Sequence, residues 1–214
     1  MNNTPHHPKP PVVALAQNIG GNRVATTQSS NEGLNERRTN GARPRHGSIV
    51  LFDAAPYPEI SGHGDPATIA MLKDDYAGRT SELTAITQYI FQNNSSDDET
   101  FANAMLQIAI VEMTHLDMLG DAIHKLGGTT EFKSGGEFWT AANVDYSRDR
   151  ADMLRANIVA EQGAIESYER HASATHNSSV RALLLRIADD ERLHLKFFQD
   201  QLAAELRRQG AVVG

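Results

Sequence analysis

The sequence predicts an all-α protein: four long helices packed as a bundle, with one long crossover between the second and third and an extended N-terminal arm. Three observations carry this. Capped amphipathic stretches follow one another after residue 65, a helical hairpin is repeated in two halves, and the halves are joined by a link far longer than a turn.

The first helix opens at Asp65-Pro66, an N-cap residue followed by proline at the first helical position, and its pattern runs to about Asn93. Ser96-Asp97-Asp98-Glu99 has the form of a capping box for the second helix, and Gly127-Gly128 closes it. About twenty residues follow, with Gly135, Gly136 and the single Trp139 but no strand pattern; connections of that length cross over the structure or serve function. A third helix is expected from about Ser147 to Thr175, and a fourth from the break at Asn177-Ser178 to near Gly210. Short first and last turns with a long middle link describe a four-helix bundle with one crossover.

Residues 1–64 read as an arm, irregular or disordered. They hold most of the eight prolines and a polar run from Asn18 to Arg38, and only Ile49-Val50-Leu51-Phe52 looks able to bury anything. The bundle is assigned to residues 65–210, with a short tail at 211–214.

Composition narrows the chemistry. The chain has 214 residues, 20 Lys+Arg against 27 Asp+Glu, and no cysteine. Disulfides, thiolate catalysis, iron–sulfur clusters and Cys-bound zinc are excluded, which leaves His and carboxylate as the strong metal ligands. With no basic run, no apolar stretch near the ~20 residues that span a bilayer and no signal peptide, the expectation is a cytoplasmic protein without nucleic-acid or membrane partners.

The inward stripes are broken by charge. The second helix reads Phe101, Met105, Ile108, Glu112, His115, Leu119, Ala122, Leu126, and the fourth Val180, Leu184, Ile187, Glu191, His194, Phe198, Leu202. The third reads Leu154, Ile158, Glu161, Ile165, Tyr168, Ala172, and the first aligns Glu82, Ile86 and Tyr89. Thirty residues separate Glu82 from Glu112, and thirty again separate Glu161 from Glu191. Glu82 and Glu161 both sit in Glu-x-x-Ala-Ile-x-x-Tyr, while Glu112 and Glu191 both sit in Glu-x-x-His-Leu. Antiparallel neighbours joined by a short turn bring such residues side by side, so both halves deliver a Glu and a Glu-x-x-His to mid-bundle.

Buried carboxylates need partners, because desolvation costs several kcal/mol each. Four carboxylates and two imidazoles balance two divalent cations, and oxygen with imidazole suits iron or manganese. Glu112 and Glu191 are the expected bridges and catalytic groups, His115 and His194 the imidazole ligands, Glu82 and Glu161 the terminal ones. Asp190 is a candidate to hold the ring N–H of His115 across the bundle. Tyr89 and Tyr168 read either as tyrosines supporting the ligands or quenching radicals, or as amphipathic core residues. His6, His7, His46, His63, His124, His171 and His176 fall off the stripes or in the arm.

At these residues the chain resembles the ferritin-like superfamily over about residues 57–208. The series Glu, Glu-x-x-His, Glu, Glu-x-x-His is shared with bacterioferritins and rubrerythrins. The wording from Tyr76 through Glu82 to Tyr89, with the lead-in Tyr57-Pro58-Glu59-Ile60, is more similar to the manganese-catalase-like branch. Where rubrerythrins carry a further glutamate this chain has Ala164, and a cysteine-free chain has no rubredoxin module. The resemblance implies a dinuclear iron or manganese centre, with Glu191 either a ligand or a proton carrier outside the ligand set. It further implies a homo-oligomer and a small oxidant, peroxide or dioxygen. Peroxide decomposition is the leading expectation. Ferroxidase or iron-storage activity of the bacterioferritin type is the alternative, and an oxidase with a roomy apolar pocket the third.

Overall fold

The structure, a computed structural model, describes residues 51–212. Among these, residues 51–65 form no helix or strand, and the bundle follows.

Helix α1 spans Pro66–Ala77 and α2 spans Glu82–Ser95. The expected continuous first helix is therefore broken, and the cause is local. The Gly78 N–H donates to the Asp74 carbonyl at 2.8 Å, where a Cβ on Gly78 would lie 2.5 Å from that same oxygen. Ser81 then caps a new helix by accepting from the Thr84 N–H. The break puts Glu82 in the first turn of α2, where the helix N-terminus favours a carboxylate.

Helix α3 spans Glu99–Lys125 and is capped by Asp98, not by Ser96, whose hydroxyl accepts from the Asp98 N–H instead. Gly127 closes it with φ +89°. The crossover contains a minimal antiparallel hairpin that its length and composition did not suggest: β1 (Lys133–Ser134) pairs with β2 (Glu137–Phe138). Gly135 and Gly136 both take positive φ between the strands, as a two-residue hairpin turn requires. Two bonds pin the crossover to α2, from Trp139 Nε1 to Thr84 Oγ1 and from the Asp145 N–H to Gln88 Oε1, each 2.9 Å. Helix α4 runs Arg150–Ala174 behind the Asp149 cap, three residues later than expected, and α5 runs Ser178–Val212 with Asn177 accepting from the Ser179 and Val180 N–H groups.

Helices α2 and α3 pack as one antiparallel pair, α4 and α5 as the other. The inward stripes form two apolar clusters. One gathers Leu72, Leu119, Ile123, Leu183, Leu184 and Ile187, and the other Tyr89, Met105, Ile108, Leu154 and Phe198. In chain order the Glu-x-x-His segments of α3 and α5 fall between them. Of the apolar stretch at 49–52, Leu51 is buried in the second cluster and Phe52 is exposed, while Ile49 and Val50 lie outside the described residues.

Residues 51–64 are fastened along α5. Arg186 donates to the Ala55 carbonyl at 3.0 Å and the Asp53 carbonyl at 2.6 Å, and Ser61 bonds Asn177 and Ser179. Near the end of this strap the backbone comes so close to α3 that a Cβ on Gly64 would sit 2.5 Å from Leu126 Cβ and 2.7 Å from its carbonyl oxygen. Gly64→Ala is expected to destabilise the protein by about 1–3 kcal/mol, the usual cost of overpacking. A thermal melt matching the parent's contradicts the close approach.

Candidate metal centre

The structure brings all six expected ligands together. Glu82 comes from α2, Glu112 and His115 from α3, Glu161 from α4, and Glu191 and His194 from α5; all are buried. They form two four-residue groups, each with ligand atoms within 4.8 Å of one another: Glu82, Glu112, His115, Glu191, and Glu112, Glu161, Glu191, His194. Glu112 and Glu191 belong to both. Glu112 points Oε2 at His115 Nδ1 and Oε1 at His194 Nδ1, each 3.0 Å away. Glu191 mirrors it, with Oε1 3.1 Å from His115 Nδ1 and Oε2 3.0 Å from His194 Nδ1. Glu82 Oε2 stands off His115 Nδ1 at 3.7 Å, and Glu161 Oε1 off His194 Nδ1 at 4.0 Å.

The outer ring nitrogens settle the protonation logic. His194 Nε2 lies 2.7 Å from the Leu51 carbonyl oxygen, which only accepts, so the proton sits on Nε2. His115 Nε2 lies 3.1 Å from Asp190 Oδ2, with the same consequence for an ionised Asp190. In a neutral ring, Nδ1 then presents a lone pair toward two or three carboxylate oxygens. Glu112 Oε1 and Glu191 Oε1 are buried without a hydrogen-bond partner even though a ring nitrogen is near each. A ring N–H satisfies one acceptor, not three. Lone pairs of two imidazoles and four carboxylates facing one another are what a pair of cations requires, and the donor set fits a dinuclear Mn or Fe centre.

Charge follows the same pattern. Burial pushes the His115 imidazole down, but Glu82 and Glu191 outweigh it and hold the ring well above its ordinary value; Glu112 does the same for His194. Burial, then the charges of Glu112 and Glu191, raise Glu82 and Glu161 well above the ordinary carboxylate range. For Glu191 burial acts upward and is overcome by His115 and His194, which hold it below.

The tyrosines are exchanged between halves. Tyr89 on α2 donates to Glu161 on α4, and Tyr168 on α4 donates to Glu82 on α2. Asp190 is fully buried, accepts from His115, from the Asp53 N–H and from Tyr57 Oη at 2.5 Å, and forms an ion pair with Arg186 Nη1 at 2.8 Å. Sequence reasoning missed the roles of Tyr57, Arg186 and the Leu51 carbonyl. The only available signals were the Tyr57-Pro58 lead-in and the i,i+4 spacing of Arg186 and Asp190. His171 is buried away from the ligands and pairs with Asp75 at 2.8 Å; His63, His124 and His176 are exposed, and His6, His7 and His46 lie outside the described residues.

A cavity of ≈ 570 Å³ reaches the carboxylates from between α2 and α4, where Ala85, Ala156, Ala160 and Ala164 leave space. It touches Glu82, Glu112, Glu161 and Glu191 and neither His115 nor His194. Its volume also accommodates a small organic molecule, as the oxidase alternative requires.

The ferritin-like domain model matches residues 78–207. The chain belongs to the ferritin-like family. The manganese catalase KatB of Anabaena superposes with TM-score 0.65 at 25% identity, over 72% of this chain and 80% of that one. A probable manganese catalase of Clostridium acetobutylicum is 26% identical over 160 residues, which is 64% of this chain and 71% of its own. A bacterioferritin of Desulfovibrio desulfuricans is 33% identical over 131 residues, 57% of this chain and 68% of its own.

Two outcomes are expected of this ferritin-like centre. Metal binding must expel the imidazole protons that the carboxylates hold in place, so affinity rises with pH and falls as acid competes. Chelator competition at several pH values, with proton release followed by indicator dye, checks it; binding independent of pH contradicts the assignment. Glu161→Ala is expected to lower metal affinity sharply while costing the metal-free protein little, because it also relieves repulsion among the carboxylates. Metal titration and melts of the metal-free variant measure the two effects.

Proposed function

We propose that this chain is a dinuclear-metal redox protein that decomposes hydrogen peroxide, with Glu82, Glu112, His115, Glu161, Glu191 and His194 as the metal ligands. One observation carries the reading: Glu112 and Glu191 each turn one oxygen toward either imidazole, the arrangement of two bridging carboxylates. The likeness to manganese catalases in both sequence and structure supports peroxide as the substrate.

A pair of Mn or Fe ions in this donor set would supply a two-electron redox couple and Lewis acidity toward peroxide. The chain supplies the rest. The imidazoles are locked by Asp190 and the Leu51 carbonyl, so their Nδ1 atoms keep a fixed aim. Tyr89 and Tyr168 hold the terminal glutamates by hydrogen bonds that favour the carboxylate form. The opening between α2 and α4 admits small molecules to the carboxylate side alone. Disproportionation turns two peroxides into two waters and dioxygen without an external reductant. That suits a chain in which no cysteine is available to build an iron–sulfur electron relay.

A second reading, oxidation and storage of Fe(II), is favoured by the bacterioferritin at 33% identity. Oxygen evolution from peroxide by Mn- and Fe-loaded protein, compared with Glu112→Ala, tests the first. Evolution by the parent and its loss in the variant are expected; equal rates overturn the proposal. Assembly into a closed shell of subunits that accumulates iron favours the second.

A further inference from the structure

All five tyrosines of the chain lie among the described residues, and three of them approach the centre. Tyr89 and Tyr168 are buried, each spending its hydroxyl on a terminal glutamate. Tyr57 differs. Its hydroxyl is 3.4 Å from His115 Nε2, the nitrogen facing away from the ligand cluster, and donates to Asp190 Oδ2 at 2.5 Å, yet the residue is only half-buried. The ring stands edge-on to the imidazole with centroids 6.0 Å apart. Arg186 is 4.2 Å above the ring and holds the other Asp190 oxygen, and the Asp53 N–H holds that oxygen as well. Side chain, acceptor and imidazole are thus fixed in one chain of contacts from a metal-ligand candidate to solvent.

We propose that Tyr57 is a redox-active residue through which a small one-electron reductant, a phenol or an enediol such as ascorbate, delivers electrons to the centre. The inference rests on the dinuclear-metal reading above and adds reductant-dependent peroxide reduction to it. A tyrosine that relays single electrons needs a nearby redox group, a proton acceptor on its hydroxyl and contact with the outside. Tyr57 has all three on the outer face of the protein, whereas Tyr89 and Tyr168 meet only the inner wall of the cavity and are at most 2 % exposed. Tyr76 bonds the Thr130 carbonyl and Tyr146 packs on Phe91, both away from the ligands.

The step balances. After peroxide has oxidised the centre by two electrons, Tyr57 gives up one electron by way of His115, and its phenolic proton crosses the existing hydrogen bond to Asp190. The oxidised phenol is a far stronger acid than the phenol, so the carboxylate takes that proton despite its other donors. The Arg186 cation over the ring disfavours a charged ring, so electron and proton leave together and a neutral tyrosyl radical remains. When the reductant returns an electron to the phenoxyl, Asp190 hands the proton back along the same hydrogen bond; the reductant releases its own proton to solvent, and peroxide takes up two protons from water in the cavity on the carboxylate side. Two such cycles reduce one peroxide to two waters and leave two one-electron-oxidised donors.

The test uses the full chain loaded with Mn or Fe, with metal content measured first in the parent, Tyr57→Phe and Tyr146→Phe. After a peroxide pulse, freeze-quenched samples are read by electron paramagnetic resonance, with ring-deuterated tyrosine to assign the signal. A spin trap followed by peptide mass spectrometry locates the radical in the unmutated protein. A tyrosyl signal in the parent, its loss in Tyr57→Phe, its retention in Tyr146→Phe and a trap adduct on Tyr57 are expected. Ascorbate oxidised per peroxide consumed should fall to background in Tyr57→Phe. No tyrosyl signal in the metal-loaded parent, a signal that persists in Tyr57→Phe, or an adduct on another residue alone overturns the proposal. Failure of the parent to bind metal overturns the dinuclear reading itself, and the metal analysis separates the two.

Discussion

Four glutamates share one small buried volume with two imidazoles, and the remainder of the architecture answers that constraint. Ionised carboxylates at such distances repel one another in a medium that screens them poorly, and burial alone already penalises each. The protein offers partial answers from its own atoms. It seats Glu82 at a helix N-terminus, gives Glu82 and Glu161 a tyrosine hydroxyl each, and holds the imidazoles where a proton on Nδ1 can serve the carboxylates. Two acceptor oxygens still lack partners. The two apolar clusters along the stripes above and below the charged layer supply stability that the layer does not.

Duplication explains most of the geometry, and its failures are informative. Equivalent Glu and Tyr residues in the two halves give reciprocal Tyr–Glu bonds across the bundle, which a single hairpin could not make. The outer partners of the imidazoles break the symmetry. Counting back one residue from each Glu-x-x-His gives Asp190 in the second half and Val111 in the first. His115 therefore leans on a carboxylate, whereas His194 leans on the Leu51 backbone carbonyl. A carboxylate partner makes an imidazole a stronger donor to a cation than a carbonyl does. The two halves present unequal donors although their glutamates are equivalent.

What the sequence made legible is what local periodicity encodes. Three- and four-residue steps placed Glu112 with His115 and Glu191 with His194, and the equal thirty-residue offsets aligned them with Glu82 and Glu161. The break at Gly78 escaped because a single glycine costs a helix only ~1 kcal/mol. Its decisive feature, the Asp74 carbonyl where a Cβ would go, lies in the local backbone conformation, which residue types do not spell out. The Gly135-Gly136 turn was visible, but strands two residues long carry no pattern of their own. Tyr57 and the Leu51 carbonyl were out of reach for a different reason. Their partners lie 133 and 143 residues away, and a backbone carbonyl has no residue type to read.

The two kinds of ligand face two kinds of surroundings. The glutamates line an opening between α2 and α4, kept wide by alanines on both helices, whereas neither the His115 nor the His194 imidazole touches that cavity. The imidazoles are covered by the strap at 51–57, whose Leu51 carbonyl and Tyr57 hydroxyl complete their outer contacts. Carboxylates can shift between one and two bound oxygens as an exogenous ligand arrives, while an imidazole anchored at its far nitrogen has nowhere to move. The flexible candidate donors thus stand at the cavity and the fixed ones where the protein closes over them. Closure on the imidazole side leaves protein atoms as the contact between the imidazoles and the outside, and the strap places the Tyr57 phenol at that point.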